Sequence, residues 1–418
     1  MKVVVLGAGV VGVTTAYELA RDGHDVTVIE RCEGPALETS RANGGQLSWD
    51  HANPLAGPGV VQKALAWLGK RDAPLLYRLR LDPALWSWTV KFLANCAEPA
   101  YWRNAERVLR VALYARERLH EILKLEHIAF DHRRGGILGL YQDARELDRD
   151  VDAIRSWREI DGSRAALDRK GCIEIEPALA HSTFLIPGAI YTPHDESGDC
   201  YEFTRQLAAR AETLGVTFQW NTTVKGFAHE GQHVTHVVTD RGQEDADVFV
   251  MALGSYSVPL MKGLDLNLPI TPAKGYSVTI PVIDDAMAPT TSITSHGHKL
   301  VFSRLGNQLR VAGMLELGGG FDTDLVEARA RLALDNAMKL FPRACAPEQA
   351  TFWTGLRPLT PDSVPIVGRA KQHNLILNTG HGMLGWTLAA GTARMAADLV
   401  RGHAPEVDMD GLGWERFA

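Results

Sequence analysis

The sequence predicts an α/β protein in which a parallel-stranded unit is interrupted by a second unit with a mostly antiparallel sheet. Three observations predict it. The chain opens on an apolar strand, a glycine-spaced turn, a helical stretch and a second strand, "VVVLGAGVVGVTTAYELARDGHDVTVIE". A second strand, glycine turn and helix follow near the other end, in "NLILNTGHGMLGWTLAAGTARMAADLV". Between them, from Pro269 to about Cys345, short apolar alternations such as "YSVTIP", "KLVFSR" and "QLRVAGM" read as strands. At 418 residues the chain is long enough for one large domain or two ordinary ones.

The opening stretch admits three explanations. Lys2 before an uncharged run over residues 3–17 resembles the start of a signal peptide, but such a peptide ends in a small-residue cleavage site. A plain buried strand would not need glycines. Here Gly7, Gly9 and Gly12 fall in the spacing GxGxxG, after a valine-rich strand over residues 3–6 and before a helical stretch that Gly23 stops. Each glycine has a physical task. Gly7 permits the tight turn, Gly9 lets backbone amides, with those of Val10 and Val11, approach a pyrophosphate, and Gly12 lets the helix pack close to the strand. The helix N-terminus adds free N–H groups and partial positive charge. The second strand ends in Glu30, 18 residues past Gly12, followed by Arg31. An acid there accepts hydrogen bonds from ribose hydroxyls and disfavours a 2′-phosphate. A dinucleotide is therefore expected.

Phosphate chemistry alone does not separate NAD from FAD. After Glu30 the chain enters the polar loop "RCEGPALETSRANGGQLS", where Ser40, Asn43, Gly44, Gly45, Gln46 and Leu47 can wrap a long cofactor. A plain surface loop would look alike, and on this loop the choice is even. The C-terminal stretch favours the flavin. Gly380, Gly382 and Gly385, with His381, Met383 and Leu384 between them and Trp386 and Thr387 after them, start a second helix. Its N-terminus can stabilise negative charge on a reduced flavin.

Together these stretches resemble the FAD-dependent D-amino acid dehydrogenases, within the wider group of D-amino acid oxidase, glycine oxidase and sarcosine oxidase. The resemblance rests on "VVVLGAGVVGV", "ALETSRANGGQLS", "HDESGDCYEFTRQLA", "VMALGSYS", "PAKGYSVTIP", "ATFWTGLRPLTPDSVPIVGR" and "LNTGHGMLGWT", in order along nearly the whole chain. It implies a Rossmann-like FAD-binding domain of the glutathione-reductase-like type with an inserted α+β substrate domain. The expected division is 1–56, 198–262 and 350–418 for FAD, and 57–197 with 263–349 for the substrate domain. It also implies non-covalent FAD, oxidative deamination of D-amino acids, and electrons passed to an acceptor other than oxygen, such as a quinone. By resemblance, Val224 lies on the adenine side, Ala252 and Gly254 near the pyrophosphate, and Gly355 in the flavin-contacting region. Some relatives attach flavin through a Cys; no Cys lies between Arg357 and Trp386 here.

Oxidising an amino acid with flavin needs a clamped carboxylate, a Cα hydrogen facing flavin N5, and a neutral amine. Arg is the natural clamp, because its planar fork pairs both carboxylate oxygens. Arg357 in "GLRPLTP" is the first candidate, with Arg304 and Arg310 in reserve; a structural ion pair is the competing role. Tyr276 in "KGYS" is a candidate to orient substrate, although a strand Tyr as often packs. His298 is placed at the pocket edge. His296 and His298 alternate with no third ligand in view, so no metal is expected.

Other readings are bounded by composition. Apolar residues make up 45 % of the chain and charged residues 22 %, and the net charge is 44 minus 50, or −6. No basic run points to nucleic acid. Five scattered cysteines without CxxC fit a reducing, cytoplasmic setting. No apolar run reaches bilayer length. Trp67, Trp86, Trp88, Phe92 and Trp102, interleaved with Lys and Arg, suit core and subunit contacts first, and peripheral docking on the inner face of the cytoplasmic membrane second. Residues 60–79 ("VVQKALAWLGKRDAPLLYRL") and the amphipathic "WRNAERVLRVALYARERLHEILKLEH" read as helices. A D-hydroxyproline or D-proline dehydrogenase and a glycine or sarcosine oxidase share every motif quoted. A non-catalytic dinucleotide-binding protein is the reading from a different class.

Overall fold

A computed structural model of the chain describes residues 1–50, 52–67, 73–156 and 164–418. The first sheet has the order Ile366–Arg369, Leu375–Thr379, Val248–Met251, Lys2–Leu6, Asp25–Ile29, Thr217–Gln219. All its pairings are parallel except that between the first two strands. Such a sheet is covered on both faces, which explains the uninterrupted runs "VVVL" and "VFVM". One face packs under helices Val10–Arg21, Cys200–Thr213 and Gly385–Val400; the other packs against Val234, Val237, Met261 and Leu264. Helices from opposite ends of the sequence are joined by charge. Arg394 donates to Glu18 at 3.0 Å and also pairs with Asp22.

The second sheet runs Thr351–Leu359, Thr271–Pro281, Gln308–Leu317, Leu300–Leu305, Ser292–Ser295, Ile137–Tyr141, Gly188–Thr192, Ala165–Asp168. Its pairings are antiparallel except Ser292–Ser295 with Ile137–Tyr141, and the short strand Leu75–Tyr77 beside Gln308–Leu317. Helix Glu327–Leu340 closes one face, over Tyr276, Val278, Ile280 and Val311. The opposite face meets the loop after Glu30.

The structure changes two expectations. The helix expected over residues 60–79 is helical only at Val60–Trp67, and Leu75–Tyr77 is a strand; residues 68–72 of that stretch lie outside the described residues. Pro74 marks the change, since the residue before a proline is pushed into extended backbone. Strand Thr351–Leu359, expected with the 350–418 piece, belongs to the second sheet by its nine paired positions with Thr271–Pro281. The long helix is present over Glu98–Leu125.

Candidate active site

Gly7 has φ +100°, and a Cβ there would lie 2.8 Å from the Ala252 carbonyl oxygen. A Cβ on Gly12 would lie 1.9 Å from the Gly7 oxygen, so the helix reaches the strand only because position 12 has no side chain. Gly9 differs. Among the described residues only Ser40 Oγ, at 3.5 Å, lies near where its Cβ would be. No atom of the described residues requires glycine there, which fits a ligand approaching from outside. The Val10 N–H donates to Ser40 Oγ at 3.1 Å, tying the loop to the helix start, where Val11 follows. Glu30 is buried, and its two oxygens accept from the N–H groups of Ala8 (2.8 Å) and Cys32 (2.9 Å). This fixes an acid at the end of the second strand. Arg31 stacks on Tyr256, 3.8 Å from the ring centroid, and pairs with Glu38.

The loop then crosses to the second sheet. Asn43 Oδ1 accepts from the Gly45 N–H, and Gly45 sits at φ +72°. The Gly44 carbonyl accepts from Ser303 Oγ at 2.7 Å, and a Cβ on Gly44 would strike Val301 at 2.4 Å. Gln46 Nε2 donates to Ser292 and Thr294 at 3.0 and 3.1 Å. Leu47 is buried opposite Glu196. Val224 starts strand Val224–Glu230 and packs against the first sheet's outer core. Gly254, at φ +53°, offers its carbonyl to Thr379 Oγ1.

The second glycine turn lies two strands along the sheet. Strands Lys2–Leu6 and Leu375–Thr379 flank Val248–Met251 and run parallel to it, so both turns leave the same carboxyl edge of the sheet, where α/β sheets bind ligands. Gly380 and Gly382 have φ of +73° and +58°. Leu384 caps helix Gly385–Val400 without a side-chain hydrogen bond, so the cap residue leaves the first-turn N–H groups open to a ligand. His381 is buried, its Nε2 lies 3.0 Å from Thr392 Oγ1, and burial lowers its pKa to about 3, so it is neutral. Met383 is 50 % exposed on the same turn. Trp386 and Thr387 point inward instead. Trp386 donates to the Gly198 carbonyl within a cluster containing Phe203, and Thr387 Oγ1 accepts from the Ser48 N–H at 3.1 Å. They anchor the wrapping loop from behind.

Arg357 stands on the sheet face that carries Ala273 and Gly275, since Ala273 is its direct cross-strand partner and Gly275 is two residues on. Its Nη1 donates to the Met314 carbonyl at 2.9 Å and its Nη2 to the Gly313 carbonyl at 3.5 Å. Among the described residues no carboxylate lies within 4 Å of it, although Arg304 on this sheet and Arg329 on the helix that covers it each have one. The side chain keeps some solvent contact, yet the surrounding protein desolvates it enough to lower its pKa to about 10. A guanidinium held by neutral carbonyls retains an uncompensated charge and unused N–H donors.

A family profile described as "FAD dependent oxidoreductase" matches residues 2–399. The chain belongs to this family. The D-amino acid dehydrogenase of Paramagnetospirillum magneticum is 49 % identical over 418 residues, which is 100 % of this chain and 99 % of the relative. That of Rhizobium rhizogenes is 46 % identical over 417 residues, covering both chains fully. Among solved structures, glycine oxidase from Geobacillus kaustophilus superposes with a TM-score of 0.74 at 23 % identity, covering 99 % of this chain and 97 % of that one. L-proline dehydrogenase from P. horikoshii gives 0.74 at 21 %, covering 100 % and 97 %. These two share the fold.

For a member of the FAD dependent oxidoreductases, both glycine turns, Glu30 and the loop through Gln46 form a fitting cradle for the dinucleotide. The other candidates lie elsewhere. Tyr276 is buried on the opposite face of its strand from Gly275 and donates to Glu316 Oε1 at 2.8 Å, which places it with packing rather than with substrate. Alternation along the strand decides this, and the motif "KGYS" alone could not. His298 also lies on the helix-covered side, stacked on Phe184 with its Nδ1 2.9 Å from Ser295 Oγ; burial and nearby Lys339 lower its pKa. Arg304 pairs with Asp285, and Arg310 donates to Thr279 Oγ1 and the Asn43 carbonyl, bracing the loop. Gly355 faces Gly275 across the ladder, and a Cβ on it would meet the Trp353 ring at 1.9 Å. Among the described residues no group of three His, Cys, Asp or Glu side chains is placed to hold a metal ion.

Two carboxylates beside the loop were not anticipated. Asp195 is fully buried and its Oδ1 accepts from the Asp50 N–H at 2.9 Å. Desolvation pushes Asp195 up to about 7, against the hydrogen bond from the Asp50 N–H and the charge of Arg164, with the Asp50 carboxylate adding a smaller upward push. Burial also opposes ionisation of Glu196, but hydrogen bonds with His120 (2.8 Å) and His132 (2.6 Å) outweigh it and hold Glu196 at about 2. Nothing in the string "HDES" separates these two fates, which depend on what packs around each group.

Proposed function

We propose that this chain is an FAD-dependent dehydrogenase that deaminates D-amino acids oxidatively, with FAD held non-covalently. The observation that carries the reading is Arg357: a half-buried guanidinium, seated on carbonyls, with no carboxylate of the described residues beside it. A substrate α-carboxylate is the complementary group, because it accepts two parallel N–H bonds and compensates the charge. The naming of relatives at 46 and 49 % identity as D-amino acid dehydrogenases supports the D-amino acid as its bearer. FAD, when bound, supplies the two-electron acceptor for the hydride leaving Cα. Arg357 orients the substrate so that its Cα and neutral amine are presented together. Neutral His381 keeps positive charge off the second glycine turn. The resulting imine takes up water and releases ammonia and a 2-oxo acid.

The FAD-binding unit in this reading comprises 1–56, 198–262 and the chain beyond Leu359, with the inserted pieces forming the substrate unit. Among the described residues no helix is long and apolar enough to cross a membrane. The exposed Leu79, Leu81, Trp86, Val90 and Leu93 support peripheral contact with the inner face of the cytoplasmic membrane and a quinone as electron acceptor.

The test is an anaerobic titration of the holoenzyme with D-alanine, L-alanine, D-proline and sarcosine, following the oxidised flavin band. Bleaching by D-alanine and not L-alanine is expected, with slow recovery in air. Bleaching only by sarcosine or a cyclic imino acid refutes the assignment. In Arg357→Ala, FAD content is expected to hold while KM for D-alanine rises by about a hundredfold.

A further inference from the structure

We infer that Gly275 and Met314 are positioning residues that seat the Arg357 guanidinium, resting on the reading of Arg357 as the carboxylate clamp. The ladder between Thr271–Pro281 and Gln308–Leu317 pairs Lys274 with Glu316 and Tyr276 with Gly313. One residue, Gly275, therefore stands opposite two, Met314 and Leu315, which is a β-bulge. Met314 has φ +53°, the left-handed conformation that side chains other than Gly, Asn and Asp seldom adopt. The bulge takes Met314 out of the ladder, and its carbonyl accepts from Arg357 Nη1 instead.

Gly275 completes the seat. A Cβ there would lie 2.1 Å from Arg357 Nη1, 2.4 Å from Cζ and 2.6 Å from Nη2, so the guanidinium plane lies directly over the glycine. The seat thus has a floor without a side chain and a rim of two carbonyls, from Met314 and Gly313. Carbonyls fix orientation without neutralising charge, whereas a carboxylate in their place would compete with the substrate. A strained residue opposite a glycine, both aimed at one cation, is the kind of local cost that persists where a site needs preorganisation.

The experiment uses the FAD-loaded enzyme and its flavin absorbance as the reporter, titrated with propionate (a carboxylate without an amine) and isopropylamine (an amine without a carboxylate). Gly275→Ala is expected to weaken propionate at least about tenfold and leave isopropylamine within about twofold. Met314→Gly, which adopts the same φ freely, is expected to bind propionate within about twofold of the parent. Met314→Ile, β-branched at positive φ, is expected to weaken it at least about fivefold. The melting temperature lost in Gly275→Ala is expected to return in Gly275→Ala/Arg357→Ala, because the clashing atoms are gone. Parent-like propionate binding in Gly275→Ala, or no thermal rescue in the double variant, overturns the seat alone. Parent-like propionate binding in Arg357→Ala overturns the clamp itself. Should Gly275→Ala fail to fold, Met314→Ile and Met314→Gly decide between the outcomes.

Discussion

Replacing Asp195 with Asn should stabilise the protein at neutral pH, and the gain should grow with pH. Asp195 has no exposed surface, and its pKa stands near 7 against an ordinary 3.8. For an acid with a raised folded pKa, folding favours the protonated form. Stability is therefore complete below about pH 3.8 and is lost as pH rises through 7. A shift of about three units corresponds to roughly 4 kcal/mol once the group is ionised in both states, at 1.36 kcal/mol per unit. This is a ceiling, since Arg164 nearby loses a partner in the variant. Asn cannot ionise, and its Oδ1 still accepts from the Asp50 N–H. Thermal unfolding of both holoproteins from pH 4.5 to 8.5 is the assay. For a chain of this size each kcal/mol moves Tm by about 1–2 °C, so Asp195→Asn should be ahead by roughly 3–6 °C at pH 8 and nearly level at pH 4.5. Parallel Tm curves across that range would falsify the assignment of an ionisation penalty to this carboxyl.

Three further outcomes are expected. Gly12→Ala should lose FAD or fail to fold, because its Cβ would sit 1.9 Å from the Gly7 oxygen; normal flavin content on purification counts against the close helix–strand contact. Glu30→Gln should weaken FAD by about tenfold, because the amide keeps one acceptor oxygen: one of the Ala8 and Cys32 N–H groups exchanges a charged acceptor for a neutral one and the other faces an NH2 donor, read by fluorescence titration of the apoprotein. Thr387→Val should leave the Ser48 N–H without its acceptor and cost about 1–2 kcal/mol of stability, with a faster hydrogen exchange at Ser48; unchanged exchange would show that Thr387 does not anchor the loop.

The parts of the site that were legible in the sequence are those governed by short-range sterics. Gly7 and Gly12 announce themselves because backbone must pass where a side chain cannot. Glu30 follows from its place at a strand end. What was not legible depends on which face a residue takes, or on neighbours far along the chain. Tyr276 and Gly275 are adjacent, and only their sheet environment sends one into the core and leaves the other under Arg357. Met314 gave no signal, because a positive φ at a methionine has no compositional mark. Trp386 and Thr387 sit in the second glycine turn's own motif, yet both face inward to hold the loop. The strand at Leu75–Tyr77 was hidden in a stretch whose apolar residues suit either period.

The joining of Lys2–Leu6 to Val248–Met251, and of that strand to Leu375–Thr379, has a consequence for biosynthesis. The first strand leaves the ribosome with its neighbour Val248–Met251, and the strand beyond that, still untranslated. At about 5–20 residues per second, roughly 20–75 s separate the emergence of Leu6 from that of Leu375. Throughout that interval "VVVL" and the apolar helix behind it have no complete sheet to enter, and Glu18 and Asp22 wait for Arg394. The first sheet therefore closes only after nearly the whole chain has been made, and a nascent chain stalled before residue 375 presents an unpaired apolar strand edge to chaperones and proteases.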